Sequence, residues 1–166
     1  MPVQRIRQLG DPLLRATSEP VDPCQADFLD LRDTLHQFQR DHGFGRGISA
    51  VQIGRPERLI YIEMDGKAYS LINPEFVTLS DAKFELWDDC FSFPDLLVRL
   101  TRHQSCQLRS QNPDGSWSEL AATGALSELL QHEMDHLDGI LAIDRAIDRF
   151  SLITRAEWLR QHNQGA

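Results

Sequence analysis

The sequence predicts an α+β fold in which short antiparallel and mixed β-sheets surround one central α-helix, with an N-terminal and a C-terminal helix besides. Three observations predict it. Apolar residues recur at helical spacing ahead of residue 41, and short β-rich runs alternate with turn signals from Gly47 to about Ala122. A second helical run then carries His132-Glu133-Met134-Asp135-His136.

The first helix is expected from about Asp22 to Asp41, where Phe28, Leu31, Leu35 and Phe38 share a face and Asp22 is placed to help cap the start. Strand runs follow at Leu59–Ile62, Tyr69–Ile72, Phe76–Leu79, Leu97–Leu100 and Cys106–Leu108. Breakers fall at Asp65-Gly66, Asn73-Pro74 and Asn112-Pro113-Asp114-Gly115, and the last reads as a hairpin. Leu126, Leu129, Leu130, Met134 and Leu137 bury one side of the central helix, which Thr123 can cap and Gly139 can stop. A final helix is expected from about Asp148 to Arg160, carrying Phe150, Ile153 and Trp158, with a polar tail from Gln161 to Ala166 that frays. The 166 residues suit one domain, residues 1–166, with no internal repeat or linker.

Composition narrows the setting. A hydrophobic share of 41% is ordinary, no stretch reaches the apolar length of a membrane span, and the opening Met-Pro-Val-Gln-Arg lacks a secretory segment, so a cytoplasmic location away from membranes is expected. Three cysteines cannot all pair within the chain, which fits a reducing compartment; Cys24 and Cys106 are expected to be inert thiols, buried or half-buried. A net charge of −8 argues against a general or sequence-specific nucleic-acid surface. The densest basic stretch, Arg99, Arg102, His103 and Arg109, reads as exposed strand positions in preference to a ribosome-facing contact. His36, His42, His103 and His162 lack ligand spacing and read as ordinary polar residues.

His132 and His136, four apart on a helix, direct both rings to one face around the Glu133 carboxylate, the pattern of a metal site with a base built in. Asp135 points off that face, toward solvent or as support for a ligand. A catalytic site of this kind usually takes a third protein ligand. The extended metalloprotease pattern that begins with this motif fails at Ala142, where a third histidine would stand. Asp144 and Asp148 remain downstream candidates, as in an endopeptidase, but Cys90 is the better one: a β-like stretch ends there in a proline turn, Trp87 to Pro94, that could present a thiolate. The glycine-rich segment Gly43 to Gly54 ends near Gln52, whose amide can donate a hydrogen bond; no Gly-Lys-Ser/Thr follows, so it is not a phosphate loop.

Taken together and in order, GRGISAVQ, DDCFS and QHEMDHLDG resemble the three motifs of the peptide deformylases, and Asp11-Pro12-Leu13-Leu14-Arg15 is similar to that family's opening. The resemblance implies a hydrolase that removes the formyl group from N-formylmethionyl nascent peptides, with Cys90, His132 and His136 holding one divalent metal ion. Fe2+ is favoured, and Zn2+, Ni2+ or Co2+ can occupy such a site. It implies further that Glu133 shuttles the proton, that Gln52 and the backbone N–H of Phe91 hold the developing oxyanion, and that Gly47, Ile48, Phe91, Leu97 and Arg99 meet substrate. A transient ribosome contact belongs to the same expectation.

Several positions depart from the family pattern. Asp88 replaces glutamate, with Arg102 as its partner through a backbone shift or a bridging water; Asp89 replaces a glycine; Phe91 replaces leucine. Leu97 stands where an arginine is common, with Arg99 nearby to replace it, Ser49 replaces alanine, and Arg46 brings a charge to an apolar position at the cleft rim. These changes leave the metal and proton chemistry in place. They bear on the substrate, so the alternatives are a hydrolase of another formyl or acyl amide and a noncatalytic metal-binding relative that binds nascent chains or ribosomes.

Overall fold

The structure, a computed structural model, describes residues 3–163; the last three residues of the expected frayed tail lie outside them. Helix α1 spans Leu29–His42, α2 Gly124–Leu137 and α3 Arg155–His162. The strands are β1 Gly47–Ser49, β2 Leu59–Met64, β3 Lys67–Leu79, β4 Lys83–Asp88, β5 Leu96–His103, β6 Ser105–Gln111, β7 Trp117–Thr123 and β8 Leu152–Thr154. They form one sheet in the order β1-β2-β3-β6-β7 and another in the order β4-β5-β8. Every ladder in both sheets is antiparallel, and the parallel pairing among the described residues is an isolated bridge between Glu19 and Glu57.

Helix α2 lies at the centre, as expected, with every residue from Ser127 to Leu137 buried. Leu129, Leu130, Met134 and Leu137 pack with Ile60, Ile62, Leu71 and Leu108 of the five-stranded sheet. Each such side chain contributes about 1.5–3 kcal/mol by leaving water, which holds the helix in place against its polar cargo. On its other side, Asp135 and Gln131 hydrogen-bond to Arg102 and His103 of β5. Leu31, Leu35 and Phe38 of α1 cover the opposite end of the larger sheet, around Ile48, Leu59 and Tyr61.

Three expected boundaries move for physical reasons. Asp22 caps a 3-10 turn, Pro23–Gln25, accepting from the Cys24 N–H; α1 begins only after Phe28, with Asp27 Oδ1 accepting from the Leu29 N–H. The Asn73-Pro74 breaker does not end a strand: β3 passes through it on a bulge, with Asn73 at φ 47° and its side chain hydrogen-bonded to Val21 and Gln111. The final helix is shorter than expected because Leu152–Thr154 pair with Leu96–Val98 as a strand, and the Thr154 hydroxyl caps α3 at Glu157. Phe150 is left 73% exposed. The expected hairpin is present, with Gly115 N–H bonded to Asn112 O between β6 and β7. Thr123 precedes α2 without a side-chain cap. Gly139 follows it at φ 74°, where an added Cβ would fall on the backbone carbonyl of Arg15.

Candidate metal centre

Both histidines of α2 turn Nε2 to one point. The two nitrogens are 3.2 Å apart, and Cys90 Sγ lies 3.3 Å from His136 Nε2. All three ligand atoms lie within 4.8 Å of one another, and all three residues are buried. A tetrahedral ion at ordinary zinc-type bond lengths would separate its nitrogen ligands by about 3.3 Å and nitrogen from sulfur by about 3.5 Å, so the donors stand where one ion fits. Three polar donors facing each other in a dry interior are otherwise costly.

The turn after β4 brings the thiol there. Cys90 follows Asp88 and Asp89, and the Ser92 N–H points at Sγ at 3.5 Å. Asp88 Oδ2 stands 2.8 Å from His132 Nδ1, which places the ring proton on Nδ1 and leaves the Nε2 lone pair for an ion. Burial acts to raise the Asp88 carboxyl, and His132 and Arg102 overcome it, holding it at about 2. The shorter aspartate reaches Arg102 directly, Nη2 to Oδ2 at 3.3 Å. Arg102 is therefore buried rather than on an exposed strand face, bridging Asp88 and Asp135. Asp135 in turn is clasped by two nitrogens of Arg145 at 2.6 and 2.7 Å, so of its two expected places the supporting one is occupied. Asp144 and Asp148, the downstream alternatives, are engaged with Arg15 and with Ser151 and Arg99.

Glu133 is 2% exposed. Its Oε2 accepts from Ser49 Oγ at 2.6 Å, and a Cβ on Gly47 would come to 3.1 Å from Oε1, so the absent side chain of Gly47 leaves that oxygen its room. Burial pushes the carboxyl up from its ordinary range, against the opposing influence of His132 and Ser49. Gln52 sits on the 3-10 turn after β1, its Oε1 accepting from the Ser49 N–H and its Nε2 near Ser92 Oγ at 3.2 Å and Cys90 Sγ at 3.6 Å. The sheet and α2 thus bring Gln52, Cys90, His132 and Glu133 to one cleft of about 480 Å3.

Gly47 and Phe91 line this cleft, with Phe44, Gly45, Arg46, Asp88, Asp89 and Leu129. Three residues expected to meet substrate do not line it. The Ile48 side chain is fully buried in the core beside α1, Leu97 is buried in β5, and Arg99 pairs with Glu85 and Asp148. Strand alternation explains the last two, since β5 turns Arg99 away from α2. The Phe91 ring stacks on Phe38 with centroids 3.8 Å apart and lies so close over Gly45 that a Cβ there would clash. The remaining departures each have a partner: Asp89 binds Arg155 at 2.6 Å, and Arg46 binds Glu128 at 2.6 Å. Sequence reasoning did not single out Glu128 or Arg155; the one available signal for Glu128 is its position four residues before His132. Cys106 is buried as expected, whereas Cys24 is exposed on its 3-10 turn.

Comparison with known proteins follows the same lines. A family model described as polypeptide deformylase matches residues 3–150. The chain is 36% identical over 151 residues to a peptide deformylase of Bartonella tribocorum, covering 87% of this chain and 84% of that protein. It is 37% identical over 165 residues to one of a Parafrankia species, covering 95% and 89%. The crystal structure of the peptide deformylase from Thermotoga maritima superposes with a TM-score of 0.75 at 31% identity, over 88% of this chain and 99% of that one. That of the Synechococcus elongatus peptide deformylase in complex with actinonin gives 0.81 at 26%, over 98% and 87%.

Proposed function

The chain belongs to the peptide deformylase family, and from that premise we propose how its own residues carry out the reaction. It is a metal-dependent hydrolase that removes the N-formyl group from N-formylmethionyl peptides, leaving formate and a free N-terminal methionine. Cys90, His132 and His136 would hold one divalent ion; we assign Fe2+ first, with Zn2+, Ni2+ or Co2+ able to take the same thiolate and imidazole donors. When bound, such an ion supplies Lewis acidity and a water that ionises near neutral pH.

Glu133 carries the proton. Its Oε2 is tethered by Ser49, and Oε1, beside Gly47, takes up the proton released as water adds to the formyl carbon and returns it to the departing amine. Gln52 and the Phe91 N–H stabilise the formyl oxygen as it becomes anionic. Gln52 comes to that task already oriented, since Ser49 and Ser92 fix both ends of its amide. Phe91 is held by its stack on Phe38, which steadies the backbone beside Cys90. Gly47 and Phe91 border the space left for substrate.

The observation that carries this reading is the convergence of Cys90, His132 and His136 beside a buried carboxylate that faces the same cleft. Anaerobic hydrolysis of a formyl-Met-Ala-Ser peptide by ferrous-loaded protein, followed through the free amine, tests it. Turnover is expected, and Glu133→Ala should abolish it with metal content unchanged. Cys90→Ala should lose the metal; a variant that retains one ion per chain would return the third-ligand role to another residue. We place the enzyme in the cytoplasm in transient contact with the ribosome, because its substrate is a nascent chain. No helix of the described residues is long and apolar enough to cross a membrane.

A further inference from the structure

The cleft lies where the two sheets meet. Phe44 lines it from the segment that enters β1 of the larger sheet, and Asp89 lines it from the turn that leaves β4 of the smaller one. Among the described residues no ladder joins the two sheets, so side chains fix Phe44 relative to Asp89 at the rim. Arg155, the first residue of α3, joins them. Its Nη2 donates to Asp89 Oδ2 at 2.6 Å and its Nε to the Pro94 carbonyl at 2.7 Å, while the guanidinium carbon lies 3.9 Å over the centre of the Phe44 ring. One planar group thus ties the turn that carries Cys90 and Phe91 to the segment before β1. Arg155 is itself fixed at its backbone, where its N–H donates to Asp95 O at 2.7 Å.

Phe44 needs such a hold. It stands between Gly43 at φ 77° and Gly45 at φ 124°, left-handed conformations that glycine enters freely, and its ring is only partly buried against the core. The Asp89 side chain is 35% exposed. These two form the outer part of the cleft, whereas Gln52, Cys90, His132 and Glu133 lie buried at its inner end. A formyl group is the first group of its peptide. Once it sits beside Glu133, the rest of the chain leaves past Phe44 and Asp89.

We propose that Arg155 is a positioning residue for the reaction, holding Phe44 and Asp89 at the spacing that grips the peptide beyond its formylated residue. It does not itself line the cleft, and it acts through two residues that do. This rests on the deformylase reading and names the residue that fixes where the downstream part of the substrate binds. The chemistry at the inner end proceeds without it. Its contribution therefore belongs to substrate binding, and it grows once the peptide is long enough to pass the rim.

The test compares the metal-loaded parent with Arg155→Met on formyl-Met-Ala-Ser and on formyl-Met amide. Methionine keeps an apolar stem and removes the guanidinium, and α3 has no buried residue, so the variant is expected to fold. For the tripeptide KM should rise about tenfold with kcat and metal content unchanged, the lower end of what a hydrogen bond to a charged group contributes. Formyl-Met amide, which ends where the alanine would begin, should change by less than about twofold. Hydrogen exchange gives a readout apart from activity: the backbone amides of residues 44–46 should exchange faster in the variant, and those of α2 should not. An unchanged KM for the tripeptide, an equal loss on both substrates, a fall in kcat, or unaltered exchange at residues 44–46 overturns the proposal and leaves the deformylase reading standing. A parent protein that hydrolyses neither substrate overturns that reading, and the role of Arg155 with it.

Discussion

Ser49 Oγ and Glu133 Oε2 are 2.6 Å apart in a part of the molecule where both residues are almost entirely shielded from water. The hydroxyl is a donor to one carboxylate oxygen and leaves the other toward Gly47. Removing it takes away a charge-assisted hydrogen bond. Ser49→Ala should therefore lower kcat about tenfold with KM and metal content unchanged. An unchanged kcat would reduce Ser49 to a packing residue.

Asp88 fixes His132 through Nδ1. Asp88→Asn exchanges a charged acceptor for a neutral amide and weakens the tautomer that an ion needs. Loss of such a partner typically costs about ten- to a hundredfold in metal affinity. Competition with a chromophoric chelator should show a loss of that size; equal affinity would remove Asp88 from the metal site's support.

Arg102 answers two buried carboxylates at once, Asp88 and Asp135. Arg102→Leu leaves Asp88 with no cation except His132, and stranding one member of a buried ion pair costs about 3–5 kcal/mol. Thermal unfolding of the metal-free protein should fall accordingly, by about 2–4 °C for each kcal/mol in a domain of this size. A shift below 2 °C would contradict this account of the bridge.

Gly139 combines a left-handed backbone with contact against the Arg15 carbonyl. Gly139→Ala should destabilise by more than about 1 kcal/mol, which denaturant unfolding would register as a lower midpoint with an unchanged slope. Stability equal to the parent would mean that the segment after α2 can move away from Arg15 at no cost.

Glu63 gives stability a pH dependence outside the metal site. Burial acts to raise its carboxyl, and hydrogen bonds from Tyr61 and His36, each at 2.6 Å, overcome that and leave it below the ordinary value of 4.5. Tyr61 responds in the other direction, raised by burial and by Glu63 to about 12. A carboxyl lowered in the folded state contributes stability above its unfolded pKa and loses it as pH falls through the folded one. The difference in urea midpoint between the parent and Glu63→Gln should be greatest near neutrality and close below the ordinary carboxylate range. A gap that stays constant into strong acid would show the effect to be packing.

What could be read from the chain alone was what depends on neighbours in sequence. The four-residue spacing of His132 and His136 and the apolar stripe through Leu130, Met134 and Leu137 are local periodicities, and the structure keeps them. Cys90 could be offered as a third ligand from its turn and Gln52 as a donor from its segment, but their joining in one site came through the resemblance, because nothing local says that they meet 3.6 Å apart. The misread boundaries share one cause, a distant partner outweighing local preference. Asn73 carries β3 past its proline through bonds to Val21 and Gln111, and Leu152–Thr154 pair with β5 where a helix was expected. The same applies to Arg102, whose place in a basic stretch said nothing of two carboxylates waiting beneath it, and to Arg46, whose partner Glu128 lies 82 residues away.

Arg155 reaches from the start of α3 to the cleft's edge, where it binds Asp89 and lies 3.9 Å over the ring of Phe44. It stands 66 residues after Asp89, beyond the stretch that the family model matches. During the chain's own synthesis Gln52, Cys90, Phe91, His132, Glu133 and His136 are all made before this brace exists. An enzyme that works on newborn chains is thus itself, for a moment, a newborn chain with the residues of its cleft in hand and the lip of that cleft still waiting for one late arginine.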